Sequence, residues 1–225
     1  MYIKKILLAI LVIGLVLGGI FAYMVYSAFF TPNTAFDEEK VVLHIRSEAD
    51  FNEVKDSLSG YLKDIKTFEQ AAQRKGYSSN IKAGRYAIKQ GMNNNDIINS
   101  LRSNNIPVKV SFNNQERVEN LAGRIAAQIE ADSISLLKAM KDPDFLSENN
   151  LVAENELAVY LPNSYEFFWN TSAEKFRDRM LKEYQRFWTA ERIEKAKVQG
   201  LTPNEAIALA SIVHKETAKV DERPR

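Results

Sequence analysis

The sequence predicts an α+β chain: an N-terminal transmembrane helix, then a small α+β unit, then a mainly helical remainder. Three observations carry that expectation. A continuous apolar run fills residues 6–26 behind Lys4 and Lys5. Alternating and helical segments interleave between Val41 and Phe112. Beyond them, apolar residues keep a period near 3.6 over most of the remaining chain.

The first element is the clearest. As a helix, residues 6–30 are long enough to cross a bilayer core of about 30 Å. The paired lysines on the short leading side place residues 1–5 in the cytoplasm and the bulk of the chain outside the membrane. A cleaved signal peptide would have an apolar core of about 7–15 residues and a small-x-small cleavage site. Here the run is longer, and Phe21, Tyr23, Tyr26, Phe29 and Phe30 crowd its end, which favours a retained anchor.

Residues 31–40 are polar, contain Pro32 and lack periodicity, so they read as a linker. Val41, Leu43 and Ile45 alternate with Val42, His44 and Arg46 as in a half-buried strand. Asp50 is placed to cap a helix carrying Phe51, Val54, Leu58 and Leu62. Thr67 and Phe68 open another helix, with Gly76 as its stop. Gly84 to Ile88 reads as a second strand, Asn93 to Asn95 as the start of a helix carrying Ile97, Ile98 and Leu101, and Val108, Val110 and Phe112 as a third strand. Residues 41–112 are therefore expected to form one small α+β subdomain, with its asparagines serving as turn and cap residues.

From residue 113 helices dominate. Val118, Leu121, Ile125 and Ile129 keep a helical period, Pro143 interrupts the pattern, and Phe176, Met180, Tyr184 and Phe187 mark a further amphipathic helix. After Gly200 the last helix begins. Thr202, Pro203 and Glu205 combine an N-cap, proline at the first helical position and a capping-box glutamate. Ala206, Leu209, Ala210, Val213 and Thr217 then fall along one face, with Glu216 beside them. A carboxyl at the edge of a buried apolar face is costly to ionise, which raises its pKa and suits it to general acid work. The same spacing equally fits a solvated glutamate paired with Lys219. Periodicity alone favours that simpler reading, because most helical glutamates are exposed.

Composition excludes several classes. A formal net charge of +1 argues against a nucleic-acid binder, which would show a basic stripe. The absence of cysteine removes disulfides, thiol nucleophiles and cysteine-based zinc sites. With only His44 and His214, a multi-histidine metal site is out of reach. Ser211 and His214 lie three apart on a helix, but no carboxylate is identifiably placed to orient the imidazole, and a serine nucleophile normally sits on a strained turn.

The segment Ala210-Ser211-Ile212-Val213-His214-Lys215-Glu216-Thr217, followed by Asp221-Glu222-Arg223, resembles the signature of the MltG (YceG-like) family of endolytic murein transglycosylases. The usual form there is Ala-Ser-Ile-Val-Glu-Lys-Glu-Thr, then Glu-Arg. The resemblance makes Glu216 the catalytic acid; this chain departs from the pattern at His214, where the family has a glutamate. Tyr160-Leu161-Pro162-Asn163-Ser164-Tyr165 is similar to the family's Leu-Phe-Pro-Asp-Thr-Tyr motif. On that likeness Asn163, Ser164 and Tyr165, with His214 flanking, are candidates to line a saccharide cleft; a Pro-Asn turn followed by a buried aromatic fits the same residues. Ile81-Lys82-Ala83-Gly84-Arg85-Tyr86 resembles the Lys-Ala-Gly-x-Tyr segment of the family's LysM-like subdomain.

The resemblance implies cleavage of the bond between N-acetylmuramic acid and N-acetylglucosamine in peptidoglycan strands, leaving 1,6-anhydro ends and using no metal or organic cofactor. It places the protein in the inner membrane, beside cell-wall synthases as partners. The family normally continues with Asn-Arg-Leu and Gln-x-Asp-Pro-Thr segments that this sequence does not contain. Residues 113–225 are therefore expected to be a partial catalytic domain. The rival expectation is an anchored glycan-binding or scaffold module without catalysis.

Overall fold

The computed structural model describes residues 2–152 and 155–216. The chain divides into two compact units, the first ending at Ile106 and the second beginning at Pro107.

The first unit runs α1 (Tyr2–Phe30), β1 (Lys40–Ile45), α2 (Phe51–Ser59), α3 (Ile65–Arg74), β2 (Gly84–Lys89) and α4 (Asn94–Ser103). Almost all of α1 stands exposed, with a mean hydropathy of 2.7 over its most apolar stretch; it is long and apolar enough to cross a membrane. β1 and β2 pair antiparallel, Leu43 opposite Tyr86 and Ile45 opposite Gly84. Their alternation turns Leu43, Ile45, Tyr86 and Ile88 onto one core with Leu58, Phe68, Ile97, Ile98 and Leu101. Each helix start is fixed by a local acceptor. Asp50 accepts from the Glu53 N–H at 2.9 Å, Asp64 from that of Lys66 at 2.8 Å, and Asn93 from that of Asp96 at 2.9 Å. The Asp64 cap begins α3 two residues before Thr67, the start that the sequence suggested.

Residues 31–40 are not a free linker. Pro32 bridges to Asn93 and Thr34 to Leu62, and Asn33 and Thr34 are buried. The Asn33 and Thr34 side chains satisfy backbone groups of other segments, a role that periodicity does not register.

The second unit contains β3 (Pro107–Phe112), α5 (Val118–Ala126), α6 (Ser133–Met140), α7 (Pro143–Glu148), a 3-10 turn (Glu156–Val159), β4 (Asn163–Phe168), α8 (Ala173–Phe187), α9 (Ala190–Val198) and α10 (Pro203–Glu216). The strand expected to complete the small subdomain instead opens this unit: β3 pairs antiparallel with β4, Val110 opposite Tyr165. The division expected at 112/113 therefore falls at 106/107. Alternation identifies a strand but not its partner. Inward-facing Val110, Phe112 and Phe167 join Leu121, Ile125, Leu136, Met140, Phe176 and Met180 in one core. Phe176 is its centre, fully buried, 5.0 Å from the Phe167 ring and stacked on Tyr160 with the planes 5° apart. Burial of such a ring contributes roughly 1.5–3 kcal/mol. Pro143 starts α7 rather than merely breaking a pattern, with the Asp142 carboxylate accepting the Asp144 and Phe145 N–H groups.

The Lys-Ala-Gly-x-Tyr segment has a physical explanation in these contacts. Gly84 sits at φ +152°, and a Cβ there would lie 2.6 Å from the Asn105 side chain, whose Oδ1 accepts the Arg85 N–H at 3.0 Å. The buried Tyr86 donates its hydroxyl to the Lys82 carbonyl at 3.0 Å. Gly84→Ala is expected to destabilise the first unit by more than about 1 kcal/mol in urea unfolding, whereas Gly60→Ala, at φ −77° with open space around it, should stabilise by a few tenths to about 1 kcal/mol. Equal effects would contradict this account of Gly84.

Candidate active site

The segment Tyr160–Tyr165 enters β4 from the 3-10 turn. Tyr160 is buried on Phe176, and burial raises the pKa of its phenol. Asn163 and Ser164 stand exposed at the start of β4. Asn163 Oδ1 accepts the Ser164 N–H at 2.7 Å, and the Ser164 hydroxyl lies 2.7 Å from that of Ser111 on β3. Tyr165 turns to the face opposite Ser164. Its ring stacks on Phe112 at 5.9 Å and its hydroxyl donates to the Leu161 carbonyl at 2.7 Å; burial raises its pKa. Of the three consecutive residues, Asn163 and Ser164 can meet a solute directly, while Tyr165 pins the turn beneath them.

α10 begins as its sequence dictates. The Thr202 hydroxyl accepts the Glu205 N–H at 3.3 Å, and Glu205 Oε2 accepts the Thr202 N–H at 2.8 Å, a reciprocal capping box. The Tyr184 hydroxyl donates to Asn204 Oδ1 at 2.6 Å, tying this first turn to α8. Ala206, Ile207 and Val213 are half-buried, but Leu209 and Ala210 of the expected face are exposed, and Leu209 and Ile212 are 48% and 59% exposed. Glu216 and His214, in the last turn of the described helix, are both exposed. Thr217, Lys219 and Asp221-Glu222-Arg223 lie outside the described residues.

One residue without a sequence signal is Glu156, the only buried charged residue among those described, at 8% exposure. It sits in the 3-10 turn, which packs against α8 and α10, and Lys141 Nζ approaches its carboxylate at 3.9 Å. The surrounding Asn155-Glu156-Leu157 has neither periodicity nor a motif, so burial of this carboxylate is a tertiary effect. Among the described residues, no three His, Asp or Glu side chains gather closely enough to hold a metal ion.

These features define an α+β protein with a membrane-length N-terminal helix and a capped C-terminal helix that presents a glutamate to solvent. The chain belongs to the YceG-like family, whose profile matches residues 43–225. A crystal structure of a yceG-like protein from Listeria monocytogenes is similar at 20% identity and a TM-score of 0.49, covering 83% of this chain and 67% of that one. A search of curated proteins found no match.

The capping box makes the start of α10 sensitive to acid. Hydrogen bonds from the Thr202 N–H and hydroxyl hold the Glu205 carboxyl below its ordinary pKa. A carboxyl lowered in the folded state stabilises above its unfolded value of about 4.3. That contribution is lost as pH falls through the lower folded value. Amide exchange in the first turn of α10 is therefore expected to accelerate below about pH 4 beyond its intrinsic dependence. Glu205→Gln should abolish the extra pH dependence, and Thr202→Ala should cost about 1 kcal/mol of local stability. An acid response unchanged in Glu205→Gln would place its origin elsewhere.

Proposed function

We propose that this protein is a membrane-anchored endolytic lytic transglycosylase that cuts nascent peptidoglycan strands between N-acetylmuramic acid and N-acetylglucosamine. Membership of the YceG-like family carries this reading, because the match extends through the helix that bears the octet ending Glu216-Thr217. α1 serves as the anchor in the inner membrane, with Lys4 and Lys5 on the cytoplasmic side and both compact units outside, where nascent glycan emerges beside the synthases.

Glu216 is the acid and base in this reading. Protonated, it donates to the glycosidic oxygen as the bond from the muramyl anomeric carbon breaks. The C6 hydroxyl of the same sugar attacks that carbon and returns its proton to Glu216, leaving a 1,6-anhydro ring on one product and a free C4 hydroxyl on the other. The nucleophile belongs to the substrate, so the second carboxylate of ordinary glycoside hydrolysis is not required. The structure leaves Glu216 exposed beside exposed Leu209 and Ile212 instead of at the edge of a buried apolar face, so the family match through α10 is what supports the assignment. Asn163 and Ser164 supply amide and hydroxyl groups suited to sugar hydroxyls, and His214, two residues before Glu216 on α10, has no proton-transfer role.

In the membrane-bound protein, Glu216→Gln is expected to keep the fold and lose about 10²–10⁴-fold in formation of anhydro-ended glycan. His214→Gln should cost far less. The reverse pattern would move the catalytic role to the first acidic position of the family octet. Retained glycan binding with no cleavage by the unaltered protein would favour a scaffold. The anchor is tested separately by fractionation and N-terminal sequencing. The mature chain should remain with the membrane and begin at or near Met1; a soluble form beginning near Thr31 would contradict it.

A further inference from the structure

The C-terminal end of α1 is built into the first unit. A helix leaves its last four carbonyls without intrahelical partners, and here a side chain from another element takes one of them. Asn94, 1% exposed at the start of α4, donates from Nδ2 to the Ala28 carbonyl at 2.7 Å. The same nitrogen donates to Thr67 Oγ1 on α3 at 3.2 Å, and Asn94 Oδ1 accepts from Asn33 Nδ2 at 2.8 Å. Asn33 is buried as well. Its carboxamide donates to the Asp64 carbonyl and accepts the Asp64 N–H, both at 2.9 Å, while its backbone N–H reaches the Met92 carbonyl at 3.0 Å and its carbonyl accepts from Lys63 at 2.8 Å.

The segment after α1 continues this stitching. Thr34 Oγ1 accepts the Gly91 N–H at 2.7 Å, and the Ala35 N–H donates to Tyr61 at 2.8 Å. Ala28 is 6% exposed and Phe29 packs on the core of the unit. Pro32 ends the helix just beyond its last turn. Two buried carboxamides with satisfied donors and acceptors admit essentially one arrangement, because an alternative would leave polar groups unpaired in the interior.

α1 has 29 residues, which at about 1.5 Å per residue exceeds an apolar bilayer core of about 30 Å. The last turns of the helix, with Tyr23, Tyr26 and Phe30 exposed, therefore sit at the aromatic interfacial level, and the carboxamides join the helix immediately above it.

We propose that Asn33 and Asn94 clamp α1 and the first unit into one rigid body, so that the unit keeps a fixed orientation relative to α1 instead of swinging on a linker. The clamp rests on the reading of α1 as a membrane anchor. Its consequence is positional: the unit follows the orientation of α1 and does not move independently of it.

The chain has no cysteine, so spin labels can be placed by Tyr23→Cys on α1 and Asn52→Cys on α2, both exposed positions. With the full chain in lipid nanodiscs, pulsed electron-spin distance measurement is expected to give one narrow peak. Asn33→Ala combined with Asn94→Ala should lose that peak to a broad distribution. A Gly-Ser-Gly insertion after Thr31 should do the same while leaving both carboxamides within their own unit; circular dichroism checks that each variant stays folded. A broad distribution in the unaltered clamp, or a narrow one that survives both changes, would overturn the proposal. A chain that does not enter nanodiscs would overturn the anchor reading, and the proposal with it, by a separate observation.

Discussion

Pro107–Phe112 and Asn163–Phe168 hydrogen-bond as an antiparallel pair, and everything between them is thereby closed into a loop that must fold back on itself. The register places Phe112 opposite Asn163 and Val108 opposite Phe167. Strand alternation then sends Val110, Phe112, Tyr165 and Phe167 toward Phe176 and Met180 while leaving Ser111 and Ser164 outside. A one-residue slip would bury the serines and expose the rings, so the core fixes the register. That pairing also sets where Asn163 and Ser164 meet solvent, which is the geometric basis for giving them a role toward sugar.

α10 shows two kinds of control within one helix. Its first turn is dictated locally by Thr202, Pro203 and Glu205 and fastened to α8 through Tyr184 and Asn204. Its second half carries Leu209, Ile212, His214 and Glu216 outward. The start of the helix is thus held by hydrogen bonds, the helix also contacts the 3-10 turn bearing Glu156, and Glu216 at its end is exposed.

Elements whose information is local were legible in the sequence. The long apolar N-terminal helix, the strands at Leu43–Ile45 and Gly84–Ile88, the Asp50 and Asn93 caps and the capping box at Thr202 each declare themselves within a few residues. Whatever depends on a distant partner was not. The third strand was recognisable from Val108, Val110 and Phe112, but its partner in β4 was not, so the unit boundary was expected six residues too late. Residues 31–40 lacked periodicity because Asn33 and Thr34 serve backbone groups of other segments. The candidate site divides in the same way: the octet containing Glu216 was readable as a motif, whereas the burial of Glu156 and the inward turn of Tyr165 are products of packing. The exposure of Leu209 likewise could not be read from a helical wheel, which gives a face without saying what covers it.

The chemistry of the product ends tests bond cleavage by this protein most directly. Uncrosslinked glycan strands incubated with the protein in lipid vesicles, then analysed by mass spectrometry, should yield shorter chains whose muramyl ends are lighter by one water than hydrolysed ends, the signature of intramolecular attack by the C6 hydroxyl. Chains ending in ordinary reducing sugars, or strands left at their original length, would contradict the account.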